Sequence, residues 1–207
     1  MSYLILVRHG KSEWNEKGLW TGFTDIPLSE SGRNEAKKTA AAIKGLPIDL
    51  VYTSPLSRAK ETLSIIMNAL GQSAPVKENF ALNERDYGIY TGKNKWEVKE
   101  QVGSDEFKKI RRSFAHPIPK GESLKMVYER VIPYFEKEIL PQLKAEKNVL
   151  VSAHGNSIRA LVKYLEGVSD EKIADVEIQT GEAWVYKMAR NGKVISKEIR
   201  AENLERI

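Results

Sequence analysis

The chain has 207 residues, 41% hydrophobic and 29% charged, with a formal net charge of +5 and a sequence pI near 9.2. That length can bury roughly 70% of the unfolded surface without a staple. The absence of cysteine excludes a disulfide scaffold, a thiol nucleophile and a cysteine zinc site, and suits a reducing cytosol. No leader with a basic start and apolar middle, and no apolar run near the ~20 residues of a bilayer span, is evident, so a cytoplasmic protein without membrane attachment is expected.

Residues 3–7 form a short apolar run, as a strand buried on both faces requires, and 49–52 and 148–152 read alike. Ser29 or Ser31 can cap a helix reaching about Lys44, with Ala36, Ala40 and Ile43 on one face and Gly45 at its end. Pro55 suits the first turn of a second helix, in which Ala59, Leu63, Ile66, Met67 and Leu70 recur at helical spacing up to Gly71. Residues 114–121, with Pro117 and Pro119, read as irregular loop. Ser123 starts a long helix carrying Val127, Val131, Phe135 and Ile139, in which Pro133 predicts a kink or break. After Asn156, the residues Ile158, Leu161, Val162 and Leu165 make another apolar face, stopped by Gly167. Residues 183–188 and 194–199 flank Asn191-Gly192, a hairpin signal. The alternation predicts an α/β fold of three layers, α/β/α, with a mostly parallel central sheet and a C-terminal antiparallel hairpin. With no repeat and no linker, a single domain over residues 1–207 is expected.

Two of the three histidines share a setting: His9 and His154 each follow a strand and precede a glycine. Ligands of open α/β sheets bind outside the carboxyl ends of the strands, so parallel strands would deliver both to one pocket. Glycine beside each permits close approach of backbone to ligand. A single histidine there is more often a satisfied loop residue; two matching ones, with Arg8 adjacent, point to chemistry. His116 has no such setting. Arg58 stands just after another strand, at a helix start where backbone N–H groups favour anions, and a guanidinium fork matches phosphate oxygens bidentately. Neither paired histidines on one helix turn nor clustered cysteines occur, so no metal is expected. Basic residues are interleaved with acids along the chain, so a small anionic partner is expected rather than nucleic acid.

The segments Leu6-Val7-Arg8-His9-Gly10-Lys11-Ser12-Glu13-Trp14-Asn15, Leu82-Asn83-Glu84-Arg85-Asp86-Tyr87-Gly88, Gly92-Lys93-Asn94-Lys95, Arg111-Arg112 and Ala153-His154-Gly155-Asn156-Ser157 occur in that order. Together with residues 19–29, Leu19-Trp20-Thr21-Gly22 onward, they resemble the histidine phosphatase superfamily, and more closely its 2,3-bisphosphoglycerate-dependent phosphoglycerate mutases. The likeness runs from about Leu4 to Tyr186. It implies a glycolytic and gluconeogenic isomerase interconverting 3-phosphoglycerate and 2-phosphoglycerate, primed by 2,3-bisphosphoglycerate. His9 would carry the phosphoryl group and Glu84 would act as general acid and base. His154, with Arg8 and Arg58, would stabilise the transition state. Ser12, Asn15, Thr21, Gly22, Arg85, Tyr87, Lys95, Arg111, Arg112, Gly155 and Asn156 would contact substrate, as would Arg8, Arg58 and Glu84. A homo-oligomer, dimer or tetramer, is also implied.

Lys11 and Asp86 depart from residues common in the family, glutamate and histidine. Residues 114–123 are shorter than in the longer mutases. The alternative activity is hydrolysis of a small phosphomonoester with the same His9 chemistry; Lys95 and the Arg111-Arg112 pair argue against it, since one phosphate has little use for them. A third reading, a catalytically idle binding domain, is opposed by the joint presence of His9, His154, Arg8, Arg58 and Glu84.

Overall fold

A computed structural model of the chain describes residues 1–201. The expected domain of residues 1–207 therefore includes six terminal residues that lie outside the described residues. Among the described residues six strands form one sheet: β1 (Ser2–Arg8), β2 (Leu50–Thr53), β3 (Val76–Glu78), β4 (Val149–Ala153), β5 (Ala183–Met188) and β6 (Val194–Arg200), in the order β3-β2-β4-β1-β5-β6. β1, β2, β3 and β4 run parallel, while β5 returns antiparallel beside β1 and β6 pairs antiparallel with β5. This is the expected mostly parallel sheet with a C-terminal antiparallel hairpin.

The helices are α1 (Glu13–Glu16), α2 (Glu30–Ala42), α3 (Ser57–Leu70), α4 (Lys95–Val102), α5 (Ser104–Arg112), α6 (Leu124–Tyr134), α7 (Leu140–Lys144) and α8 (Gly155–Glu166). Because successive strand side chains point to opposite faces, Leu4, Leu6, Val149 and Val151 pack with Val127, Val131, Phe135 and Leu161 on one side. Ile5, Val7 and Leu150 pack with Ala40, Ile43, Leu63 and Ile66 on the other. Helices therefore cover both faces of a sheet whose central strands are largely apolar and buried. No helix among the described residues is long and apolar enough to cross a membrane.

Local details refine the expected elements. Ser29, not Ser31, caps α2, its Oγ accepting from Gly32 N at 3.2 Å. Pro55 lies ahead of α3 rather than in its first turn, because the extended Leu56 is the N-cap. Gly71 and Gly167 end α3 and α8 at φ 63°, where a side chain would be strained. Helix α6 runs through Pro133, and the expected break takes the form of a π turn over Phe135–Ile139 before α7. A proline lacks the donor N–H and crowds the carbonyl four residues back, and a π turn is the common way a helix widens locally. In the hairpin, Ala189 N donates to Lys193 O at 2.9 Å and only Gly192 takes positive φ, so the loop spans three residues. Residues 114–121 are irregular but anchored, with Phe114 and Ile118 buried and Lys125 N donating to Phe114 O at 2.8 Å. Helices α4 and α5 and the short edge strand β3 were not expected.

Candidate active site

Strands β1 and β4 pair in parallel with Arg8 opposite Ala153, and His9 N donates to Ala153 O at 3.0 Å. The two strand ends thereby place His9 and His154 side by side, ring centroids 4.9 Å apart. The turn after His9 is held by Gly10 N donating to Thr62 Oγ1 at 3.0 Å. It lies so close to the start of α2 that a Cβ on Gly10 would overlap the Gly32 carbonyl, and a Cβ on Gly32 would overlap Lys11 backbone. Two residues without side chains thus let the start of α2 lie directly against the turn after His9.

His9 is buried, and its Nδ1 donates to its neighbour's carbonyl, Gly10 O, at 2.6 Å. A carbonyl can only accept, so the ring proton sits on Nδ1 and Nε2 keeps its lone pair. Burial, then the Arg58 and Arg8 guanidinium groups, hold the His9 pKa well below that of a free imidazole, against a small opposing effect of the Gly10 bond. His154 is likewise held well below its usual pKa, first by burial and then by Arg58, His9, Arg8 and Arg130. Its Nε2 shares a 2.6 Å hydrogen bond with Ser54 Oγ, while its buried Nδ1 has no protein partner. Both rings are therefore neutral at neutral pH, as a nitrogen nucleophile must be.

In front of His9 opens a cavity of about 700 Å³, including its solvent-open mouth. Arg8, Arg58, Lys95, Arg111, Arg112 and Arg159 line it, against the carboxylates of Glu84 and Glu177. Arg58, second residue of α3, donates to Thr24 O and Gly22 O, both at 2.9 Å. Burial lowers its pKa to about 10. Arg8 donates to Ile178 O at 2.6 Å. Nε of Arg8, Nε of Arg58 and Oγ1 of Thr21 are buried without a protein partner. Unpaired buried donors are costly unless a ligand accepts from them. Those around His9 form a set suited to anionic oxygens.

Glu84 stands at the inner wall. Its Oε1 accepts from Arg85 N at 2.7 Å, Asn156 N at 3.2 Å and Asn156 Nδ2 at 2.8 Å. Oε2 is left toward Gly155, whose Cβ position lies 3.7 Å from it and 3.5 Å from the Arg8 guanidinium. Asn156 Nδ2 also donates to Tyr87 Oη at 3.0 Å. Farther out, burial and then repulsion by Arg111 and Arg8 lower Lys95 to about 8, and burial and Arg112 lower Arg111. Arg112 pairs with Glu177. Cations depressing one another across a cavity mark a site whose field an anion would relieve.

The structure brings Arg8, His9, Asn15, Thr21, Gly22, Arg58, Glu84, Tyr87, Lys95, Arg111, Arg112, Gly155 and Asn156 to this cavity. Three expected residues stand behind its wall. Ser12 caps α1 and hydrogen-bonds Asn15. Arg85 is fully buried, donates to Ile110 O at 2.8 Å and lies under the Tyr87 ring. His154 sits against His9. Sequence reasoning missed Arg159, which donates to Asn156 Oδ1 at 3.0 Å and to Arg112 O at 2.9 Å, and Glu177, the partner of Arg112. A charged residue inside the apolar run Ile158–Val162 was the available signal for Arg159.

The model of the histidine phosphatase superfamily (branch 1) matches residues 4–198. A Parvibaculum lavamentivorans protein named 2,3-bisphosphoglycerate-dependent phosphoglycerate mutase is 50% identical over 202 residues, covering 96% of each chain. A Candida albicans phosphoglycerate mutase is 43% identical over 221 residues, covering 93% of this chain and 89% of its own. Among solved structures, Bacillus stearothermophilus YhfR superposes with a TM-score of 0.80 over 94% of each chain at 22% identity, a likeness of fold. Matched over nearly its whole length, the chain belongs to branch 1 of the histidine phosphatase superfamily and, within it, to the phosphoglycerate mutases.

Proposed function

We propose that the chain interconverts 3-phosphoglycerate and 2-phosphoglycerate through a phosphoryl group carried on His9, primed by 2,3-bisphosphoglycerate. The observation that carries this reading is that Lys95, Arg111 and Arg112 share one cavity with His9, Arg8 and Arg58. The inner cations suit the phosphoryl group in transit, and the outer ones suit a second anion on the same small molecule. The buried, unpartnered donors of Arg8, Arg58 and Thr21 fit so heavily charged a primer.

In this reading His9 Nε2 attacks phosphorus while Arg8, Arg58 and His154 offer donors to the oxygens that gain charge. Glu84 gives its proton to the leaving hydroxyl oxygen and, in the return step, takes one from the attacking hydroxyl. Asn156 and Tyr87 orient Glu84 and the substrate; Asn15, Thr21, Gly22 and the Gly155 backbone line its path, with Ser12 and Arg85 holding Asn15 and Tyr87 from behind. The intermediate must be kept from water while it reorients. We take the chain as one catalytic domain in the cytoplasm, which suits a cysteine-free protein. A homo-oligomer is part of the proposal on family resemblance alone.

The second reading, a phosphatase for small phosphomonoesters, draws on the brief segment of residues 114–123 and the open mouth of the cavity. A coupled assay for 2-phosphoglycerate formed from 3-phosphoglycerate, with and without 2,3-bisphosphoglycerate, separates the two when free phosphate is measured alongside. Isomerisation stimulated by the bisphosphate supports the mutase. Phosphate release without isomerisation overturns it in favour of the phosphatase, and silence in both overturns both.

A further inference from the structure

Glu84 has a second set of holders, outside the cavity. Arg130, on α6, directs all five of its N–H donors at the segment that carries Glu84 or at the carboxylate beside it. Its Nη1 donates to Ala81 O at 2.7 Å and Asn83 O at 3.1 Å, and its Nη2 donates to Glu84 O at 2.8 Å. The remaining donors form a bidentate pair with Glu122, at 2.8 and 2.9 Å. Glu122 completes the grip: its Oε2 accepts from Asp86 N at 3.0 Å and its own N–H donates to Asp86 O at 2.9 Å. The Phe23 and Phe80 rings lie 5.8 and 5.7 Å from the guanidinium. The pair is largely buried, with side-chain exposures of 16% and 15%.

Neither residue touches the cavity. What they fix is the backbone from Ala81 to Asp86, at four of its six residues, while Asn156 fixes the carboxyl of Glu84 from the other side. The segment has little regular structure, a 3-10 turn over Phe80–Leu82 followed by irregular chain, so these bonds are what hold it in place. Fully satisfied buried networks of this sort rigidify what they touch, and a displacement near 1 Å of a reacting group can cost about a hundredfold in rate.

We propose that Arg130 and Glu122 are positioning residues of the phosphoryl transfer, holding the Glu84 backbone so that Oε2 stays within proton-transfer reach of the substrate oxygen. The inference rests on the role of Glu84 given above. When His9 is loaded, the donor P–O bond breaks, the Nε2–P bond forms, and the Glu84 proton goes to the departing alkoxide oxygen. An aryl donor such as p-nitrophenyl phosphate departs as a stable phenolate and needs no such proton. A misplaced Glu84 therefore slows loading from an alkyl phosphate and spares loading from the aryl one.

The experiment is single-turnover phosphorylation of His9 from 2,3-bisphosphoglycerate and from p-nitrophenyl phosphate, in the wild type, Arg130→Lys, Glu122→Gln, Glu84→Gln and Arg130→Lys/Glu84→Gln. Arg130→Lys is expected to slow loading from the bisphosphate roughly 10- to 100-fold and from the aryl ester less than about 3-fold. Glu122→Gln should show the same selectivity more weakly, and the double variant should be no slower than Glu84→Gln alone. Equal slowing with both donors, multiplicative effects in the double variant, or no slowing would each overturn the inference. If Arg130→Lys does not fold, Glu122→Gln, which keeps the three backbone bonds of Arg130, decides by the same comparison. Absence of donor selectivity in Glu84→Gln itself would instead sink the acid–base role assigned to that residue.

Discussion

Acidification is expected to destabilise the protein through His9 and His154 before it protonates most carboxylates. In the unfolded chain each imidazole takes a proton near pH 6.5. In the folded protein burial, Arg58 and Arg8 keep His9 neutral well below that, and burial, Arg58 and His9 do the same for His154. The unfolded state alone binds protons as the pH drops below about 6.5, so stability is whole above that pH and is lost as it falls toward the folded pKa values. Going from about pH 7.5 to about pH 5.5 removes about 1.4 kcal/mol per histidine and about 2.7 kcal/mol for the pair, a large part of a typical ~5–15 kcal/mol. Urea denaturation of unphosphorylated protein at fixed ionic strength measures this directly. His9→Asn, which keeps a donor for Gly10 O, should lose roughly half of the pH dependence, or slightly more because His154 is also relieved of one repulsion. A wild-type profile retained in His9→Asn would refute the reasoning.

Gly10→Ala should cost roughly 1–3 kcal/mol by forcing the nucleophile turn away from Gly32, read by denaturation. Ser54→Ala, which leaves His154 Nε2 buried without a partner, should cost about 1–3 kcal/mol in the same assay; a wild-type midpoint would contradict the bond. Glu177→Gln releases Arg112 and should tighten binding of inorganic phosphate or 3-phosphoglycerate several-fold by calorimetry; unchanged affinity would mean that Glu177 does not compete for Arg112. Lys95 should make anion binding fall away above about pH 8, and Lys95→Arg should move that limb upward, since a guanidinium stays charged.

Elements whose apolar residues face the interior were legible. The middle of β1 and all of β4 are buried, and α3 and α8 carry apolar stripes that end at a left-handed glycine. Helix α4 was not, because it buries only Val98, and α5 buries only Phe107 and Ile110 among seven polar residues. Their capping signals, Asn94 and Gly103, stand without a stripe to support them. Strand β3 is three exposed residues at a sheet edge, held by main-chain bonds that leave no mark on composition. The inner site could be read because it sits at strand ends. Arg130 could not, since its role is carried entirely by backbone carbonyls and one glutamate that folding brings to it.

The place of β1 in the sheet has a consequence for biosynthesis. Its two neighbours are β4 and β5, strands that begin at Val149 and Ala183. Of the six described strands β1 is made before the others, yet both of its edges wait for partners some 145 to 186 residues downstream. Pairings so distant in sequence form slowly, and an apolar strand kept waiting is a natural client for a chaperone. The proposed site waits with it: the His154 that lies beside His9, and the Asn156 that holds the Glu84 carboxyl, arrive with β4 and α8. On the proposed reading, a nascent chain that stops short of β4 holds His9 without the neighbours that phosphoryl transfer needs.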